Sequence, residues 1–154
     1  MFDDLRDLYQ EVILDHGRKP RNFRRLENPD RVARGDNPLC GDRMELFVNL
    51  SPEGRIAEAA FQGRGCAISV ASASLMTETV QGKTTAEATE LGSKFRELAM
   101  TGTCPDCGAS LADEMERLQP LAGVHEFPSR VKCATLAWHT LDAALKGGAK
   151  ASTE

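Results

Sequence analysis

The chain has 154 residues, 41% of them hydrophobic and 27% charged, which is the length and apolar content of one ordinary domain with a single core. Its formal net charge of −4, with basic residues interleaved among acidic ones, gives no electrostatic basis for binding nucleic acid. No stretch approaches the roughly 20 apolar residues that span a bilayer, and Met1-Phe2-Asp3-Asp4-Leu5-Arg6 has no basic segment leading into an apolar core, so a soluble, cytoplasmic protein without membrane contact is expected.

Leu5, Leu8, Tyr9, Val12 and Ile13 share one face at helical spacing, and Gly17 is expected to end that first helix. Residues 18–38 carry Pro20, Asn28-Pro29 and Asn37-Pro38 and read as a turn-rich segment lying over the surface. Met44, Leu46, Val48 and Leu50 alternate with Glu45, Phe47 and Asn49, and Ser51-Pro52-Glu53-Gly54 turns into a second run, Arg55 to Gln62. That pattern is an antiparallel hairpin. After Gly63-Arg64-Gly65-Cys66, the spacing of Ile68, Ala71, Leu75 and Thr79 predicts a helix that Gly82 stops.

Thr84-Thr85-Ala86-Glu87 has the spacing of a capping box, and it opens a helix with Ala88, Leu91, Phe95 and Leu98 on one face. Residues 101–110 are turn-like, and Leu111, Met115 and Leu118 mark a short amphipathic piece before Pro120. Pro128-Ser129 begins a last helix lined by Cys133, Leu136, Ala137, Thr140, Leu141 and Ala144 and closed by Gly147-Gly148. One domain over residues 1–146 and a disordered tail over 147–154 are expected. Strands early and helices late imply an α+β fold, a short antiparallel sheet with helices packed on one face.

Five cysteines is an odd number, which favours metal binding or thiol chemistry over a disulfide framework in a reducing compartment. Cys40, Cys66 and Cys133, with Asp42, supply three thiolates and a carboxylate, a ligand set suited to a tetrahedral zinc site or to the edge of an iron–sulfur cluster. Cys66 and Cys133 fall at expected helix N-termini, where the dipole favours a thiolate, and Cys40 falls in a glycine-containing loop. Arg43, Arg64, Arg130 and Lys132 are sequence neighbours that can offset the excess negative charge, Arg130 and Lys132 flanking Cys133 most closely. Taken singly, each cysteine is equally at home as a small buried hydrophobe.

Asn37-Pro38-Leu39-Cys40-Gly41-Asp42, then Gly65-Cys66-Ala67-Ile68-Ser69 with Ala71-Ser72-Ala73-Ser74, then Arg130-Val131-Lys132-Cys133-Ala134-Thr135-Leu136-Ala137-Trp138 resemble the three motif blocks of the U-type iron–sulfur assembly proteins. The resemblance runs over about residues 3 to 146 with the blocks in order, and it is closer to the SufU branch than to the IscU scaffolds. IscU proteins carry a Leu-Pro-Pro-Val-Lys docking motif and a histidine before the third cysteine. This chain has Glu126-Phe127-Pro128-Ser129-Arg130-Val131 and Lys132 there. The long interval between Cys66 and Cys133 also resembles the SufU insertion.

The resemblance implies a SufU/IscU-like fold with a small three-stranded antiparallel sheet under several helices. It implies Zn2+ held by Cys40, Asp42, Cys66 and Cys133, and persulfide sulfur accepted on Cys40 from a SufS-type cysteine desulfurase and passed to a SufBCD-like assembly scaffold. On that reading the protein is a zinc-dependent sulfurtransferase acting with the desulfurase. The same ligands could instead hold iron or a [2Fe-2S] cluster in a scaffold that assembles and transfers it. A purely structural zinc domain is the third reading.

Cys104-Pro105-Asp106-Cys107-Gly108 departs from the family pattern. A C-x-x-C pair without a second pair lacks the ligand count of a structural zinc, so Cys104 and Cys107 are candidate auxiliary thiols, a half-site, or an inert turn. His16, His125 and His139 have no ligand partner at helical spacing and read as structural or surface residues. Trp138, Phe95 and Phe61 read as core, and Asp113, Glu114, Glu116 and Arg117 as a solvated helix face.

Overall fold

The computed structural model describes residues 2–38, 41–103, 111–148 and 150–152. In chain order these form α1 (Phe2–Arg18), β1 (Arg31–Asn37), β2 (Asp42–Leu50), β3 (Ile56–Arg64), α2 (Ala67–Val80), α3 (Thr85–Thr101) and α4 (Ala112–Leu118). A 3-10 stretch (Gln119–Glu126), α5 (Pro128–Leu145) and β4 (Lys150–Ser152) complete the chain. The architecture is α+β, one sheet with helices against one face, as expected. No described helix is long and apolar enough to cross a membrane.

The β2–β3 hairpin follows from its alternation. Met44, Leu46 and Val48 turn to the helices and are at most 7% exposed, and they sit opposite Gly63, Phe61 and Ala59 in an antiparallel register. The other face of β2 presents Arg43, Glu45 and Phe47. There Phe47 is covered by Leu26 and Ala60 and by the Arg25 guanidinium, 4.9 Å above its ring.

The sheet has four strands in the order β3-β2-β1-β4, where three were expected. Part of the segment read as turn-rich, Arg31–Asn37, is strand β1, antiparallel to β2. Its buried positions are Ala33, Gly35 and Asn37, so the strand has alternation without large apolar residues to announce it. Gly35 is required there, because a Cβ would collide with the Thr140 hydroxyl of α5. Three residues of the expected tail, Lys150–Ser152, form β4 and pair in parallel with β1. They were illegible because a three-residue strand carries no period, and its backbone partners are more than a hundred residues away.

The helices are set by burial and caps. α2 is buried along most of its length, with Ala71, Ser72, Ala73, Ser74, Leu75, Met76 and Val80 all inside, so it runs through the middle of the helical layer. Small residues let α1 and α5 approach it, and the Ser72 hydroxyl donates to the Ala134 carbonyl on α5. The capping box at α3 is present as read. The Thr84 hydroxyl accepts from the Glu87 N–H at 3.1 Å, and the Glu87 carboxylate accepts from the Thr84 N–H at 3.0 Å. Phe95 and Trp138 stack with centroids 5.2 Å apart, joining α3 to α5 within the core. α1 continues one residue past Gly17, which packs against Ala67 at the start of α2.

His16 is a structural residue. Buried on α1, its Nδ1 lies 2.7 Å from the Ser74 hydroxyl on α2, and the same oxygen accepts from the Arg21 N–H at 2.8 Å. Burial, reinforced by the nearby Arg21 charge, pushes the imidazole below its ordinary value, and His139 is lowered by burial and then by Arg96. His125 Nδ1 lies 2.9 Å from the Ala122 carbonyl.

Two outcomes follow. Leu46 is fully buried between the sheet and the helical layer, so Leu46→Ala lowers unfolding free energy by about 2–5 kcal/mol in a denaturant titration. The depressed imidazoles make the folded chain resist protonation that the unfolded chain accepts near the ordinary value of 6.5. Their stabilisation is complete above that pH and is lost as pH falls below it. Unfolding free energy measured between about pH 7 and pH 5 therefore declines, and His16→Gln shows a shallower decline than the wild type.

Candidate metal centre

Asp42 is the first residue of β2 and is 1% exposed. It is reached through Gly41, whose φ of 74° is a left-handed conformation natural to glycine and whose N–H donates to the Asn37 carbonyl at 2.9 Å. This sharp turn swings the strand so that its first side chain enters the helical layer.

There Asp42 meets the start of α2. Cys66 occupies the N-cap position with extended backbone, φ −69° and ψ 166°, and its backbone N–H donates to Asp42 Oδ1 at 3.0 Å. A carboxylate at the positive end of a 14-residue helix is favoured by the dipole as well as by this bond. Its second oxygen, Oδ2, lies 4.0 Å from the Cys66 sulfur. Gly65 makes the approach possible, because a Cβ there would stand 2.5 Å from Asp42 Oδ1. The glycines of Cys40-Gly41-Asp42 and Gly65-Cys66-Ala67 are thus part of the site, one for backbone conformation and one for clearance.

Cys133 arrives from the other side on α5. It is buried, and its thiol faces the Ser129 carbonyl one turn back, at 3.6 Å. The expectation that it sits at a helix N-terminus is corrected. α5 begins at Pro128, so Cys133 is its sixth residue, beyond the first four N–H groups that lack helical acceptors. The positive charge near it comes instead from Arg130, exposed on the first turn. The Cys66 charge and then that of Cys133, with hydrogen bonds to both sulfurs, hold the Arg130 guanidinium still further above its ordinary value. Lys132, the other expected cation, is half-buried on the same helix.

The structure therefore brings together Asp42, Cys66 and Cys133, with one ligand atom of each within 4.8 Å of the others. It is the one such group of three among the described residues. Donors on a tetrahedral zinc ion stand roughly 3–4 Å apart, so small side-chain rotations close this triangle onto a metal. Two thiolates and a carboxylate fit zinc by donor type and leave a fourth position open. Cys40, two residues before Asp42, and the pair Cys104 and Cys107 lie outside the described residues.

Residues 8–150 match the family model described as the NifU-like N terminal domain. The chain is 42% identical over 148 residues to a zinc-dependent sulfurtransferase SufU of Bacillus subtilis, covering 96% of this chain and 93% of that protein. It is 40% identical over 147 residues to an iron–sulfur cluster assembly scaffold protein IscU of Streptococcus pyogenes serotype M1, covering 96% and 88%. Among solved structures, a candidate cluster-assembly scaffold for the SUF system from Fervidobacterium islandicum AW-1 superposes with a TM-score of 0.79 at 31% identity, covering 88% of this chain and 94% of that one. Its matched length, its α+β sheet and the Asp-Cys-Cys cluster place this chain in the NifU-like N-terminal domain family, among the IscU/SufU-type iron–sulfur cluster assembly proteins.

Proposed function

We propose that this member of the family is a zinc-dependent sulfur acceptor, taking persulfide sulfur from a SufS-type cysteine desulfurase and passing it to a SufBCD-like scaffold in a reducing cytoplasm. The observation that carries the reading is the convergence of Asp42, Cys66 and Cys133 from a strand start, a helix cap and a helix interior. Zinc would be held by these three and by Cys40, and when bound it would keep the thiols deprotonated at neutral pH.

Each residue has a distinct task. Asp42 and Cys66 are tied by a backbone hydrogen bond, and Cys133 is built into a long helix, so these three form the fixed part. Cys40, which precedes Asp42 by two residues in the sequence, is the proposed acceptor, as the resemblance to the SufU branch implies. In the transfer, the Cys40 thiolate attacks the outer sulfur of the donor persulfide. The new S–S bond forms as the old one breaks, and the donor cysteine leaves as a thiolate. Arg130, lying against the Cys66 and Cys133 sulfurs, offsets their negative charge. Cys104 and Cys107 are proposed auxiliary thiols apart from this step.

A second reading, a scaffold that assembles a [2Fe-2S] cluster, is favoured by a relative of nearly equal identity that is named as one. Metal and sulfide content separates the two. Aerobically purified protein is expected to hold about one zinc per chain, whereas stoichiometric iron and acid-labile sulfide would support the scaffold. Asp42→Ala removes a ligand and an acceptor together, and zinc affinity in a chelator competition is expected to fall by about tenfold or more. Cys40→Ala is expected to abolish stimulation of the desulfurase, measured as alanine released from cysteine. Retained stimulation would remove Cys40 from the acceptor role.

A further inference from the structure

The face of the sheet turned away from the helices carries a groove of about 890 Å3 along the ends of β1, β2, β3 and β4. Arg34, Arg43, Arg64 and Lys150 line it, with Asp36 and Glu45 as its carboxylates. The whole chain has a net charge of −4, so this positive surface runs against the balance of the molecule.

Its charges are set in an unfavourable arrangement. Arg43 and Arg64 are directly paired across β2 and β3, and Arg34 and Lys150 across β1 and β4. Like charges directly opposite in a sheet are destabilising. The carboxylates relieve this in part. Asp36 lies 3.4 Å from Arg43, and Glu45 is shared between Arg34 at 3.4 Å and Arg25 at 2.9 Å. Arg64 and Lys150 are exposed, and no carboxylate among the described residues pairs with them. Among the described residues, each like-charge pair thus has one cation with a carboxylate partner and one without.

The groove also borders the metal centre. Arg43 follows Asp42, and strand alternation turns Asp42 into the helical layer and Arg43 onto the open face. Arg64 stands two residues before Cys66. A protein that covers the thiols can therefore reach over the sheet end onto this surface without displacing Asp42, Cys66 or Cys133.

We propose that this basic groove docks an acidic surface of the sulfur donor and fixes its orientation over the thiols. The proposal rests on the sulfur-acceptor reading above. Complementary charge speeds encounter and sets register, and on docking Arg64 and Lys150 gain a counter-charge that no described carboxylate supplies.

The test is direct binding of the zinc-loaded full chain to its cognate cysteine desulfurase, by calorimetry at about 50 and 300 mM salt, alongside desulfurase stimulation. Arg43→Glu/Arg64→Glu and Arg34→Glu/Lys150→Glu are each expected to weaken binding by about tenfold or more and to flatten its salt dependence. Both variants should keep stoichiometric zinc and a single cooperative thermal transition, so that loss of binding is read on folded protein. Arg96→Glu/Arg117→Glu on α3 and α4 makes an equal change in net charge away from the groove and should bind as wild type. Equal loss in Arg96→Glu/Arg117→Glu, or undiminished binding by both groove variants, overturns the groove. So does binding of a random-sequence oligonucleotide that depends on the same four residues. Binding that depends on the groove without any stimulation or sulfur transfer keeps the docking face and overturns the acceptor reading. No binding by the wild type overturns both.

Discussion

The hydrogen bond from the Cys66 N–H to the Asp42 carboxylate is the contact on which the site depends. It joins the first residue of β2 to the cap of α2, the two elements on which the proposed fixed ligands nearest in sequence are carried. A buried carboxylate is costly unless hydrogen-bonded, and here a backbone donor and a helix terminus offset that cost without occupying its second oxygen through this bond. Position is thereby set by the backbone, and Oδ2 faces the Cys66 sulfur.

The contact is made possible by absent side chains. Gly65 leaves room for the carboxylate, Gly41 turns the chain into β2, and Gly35 lets α5 lie against β1. The last of these bears on Cys133, because the helix that carries it is seated on β1 through Thr140. α2 plays the complementary part. Its alanines and serines bring α1 and α5 close, so Cys66 on the cap of α2 and Cys133 on α5 meet across a short gap. Packing density in the helical layer and ligand spacing in the site are therefore one property.

Much of this was legible from residues alone. The β2–β3 hairpin was visible because Met44, Leu46 and Val48 alternate strictly, and α3 because Thr84 and Glu87 form a local cap whose partners are three residues apart. β1 was not, since its inward positions are Ala33, Gly35 and Asn37, chosen to fit beneath α5 and not for apolar burial. β4 was not, since nothing within residues 150–152 records that their partners are Arg34 to Asp36. Pro128-Ser129 marks the start of α5 correctly, but Cys133, read as lying at that start, falls a turn further in. The charge is there, but it comes from the Arg130 side chain and not from the helix terminus.

The sequence by itself determined the donor types, the order of the motif blocks and the α+β class, because ligand chemistry, turn residues and hydrophobic period are local properties. Tertiary structure alone decided that Asp42, Cys66 and Cys133 converge, that the sheet has a fourth strand, and that four cations share one groove on its open face. The reason is distance along the chain. Asp42 and Cys133 are separated by ninety residues, Arg34 and Lys150 by more, and only the register of the sheet and the packing of α2 against α5 bring them together.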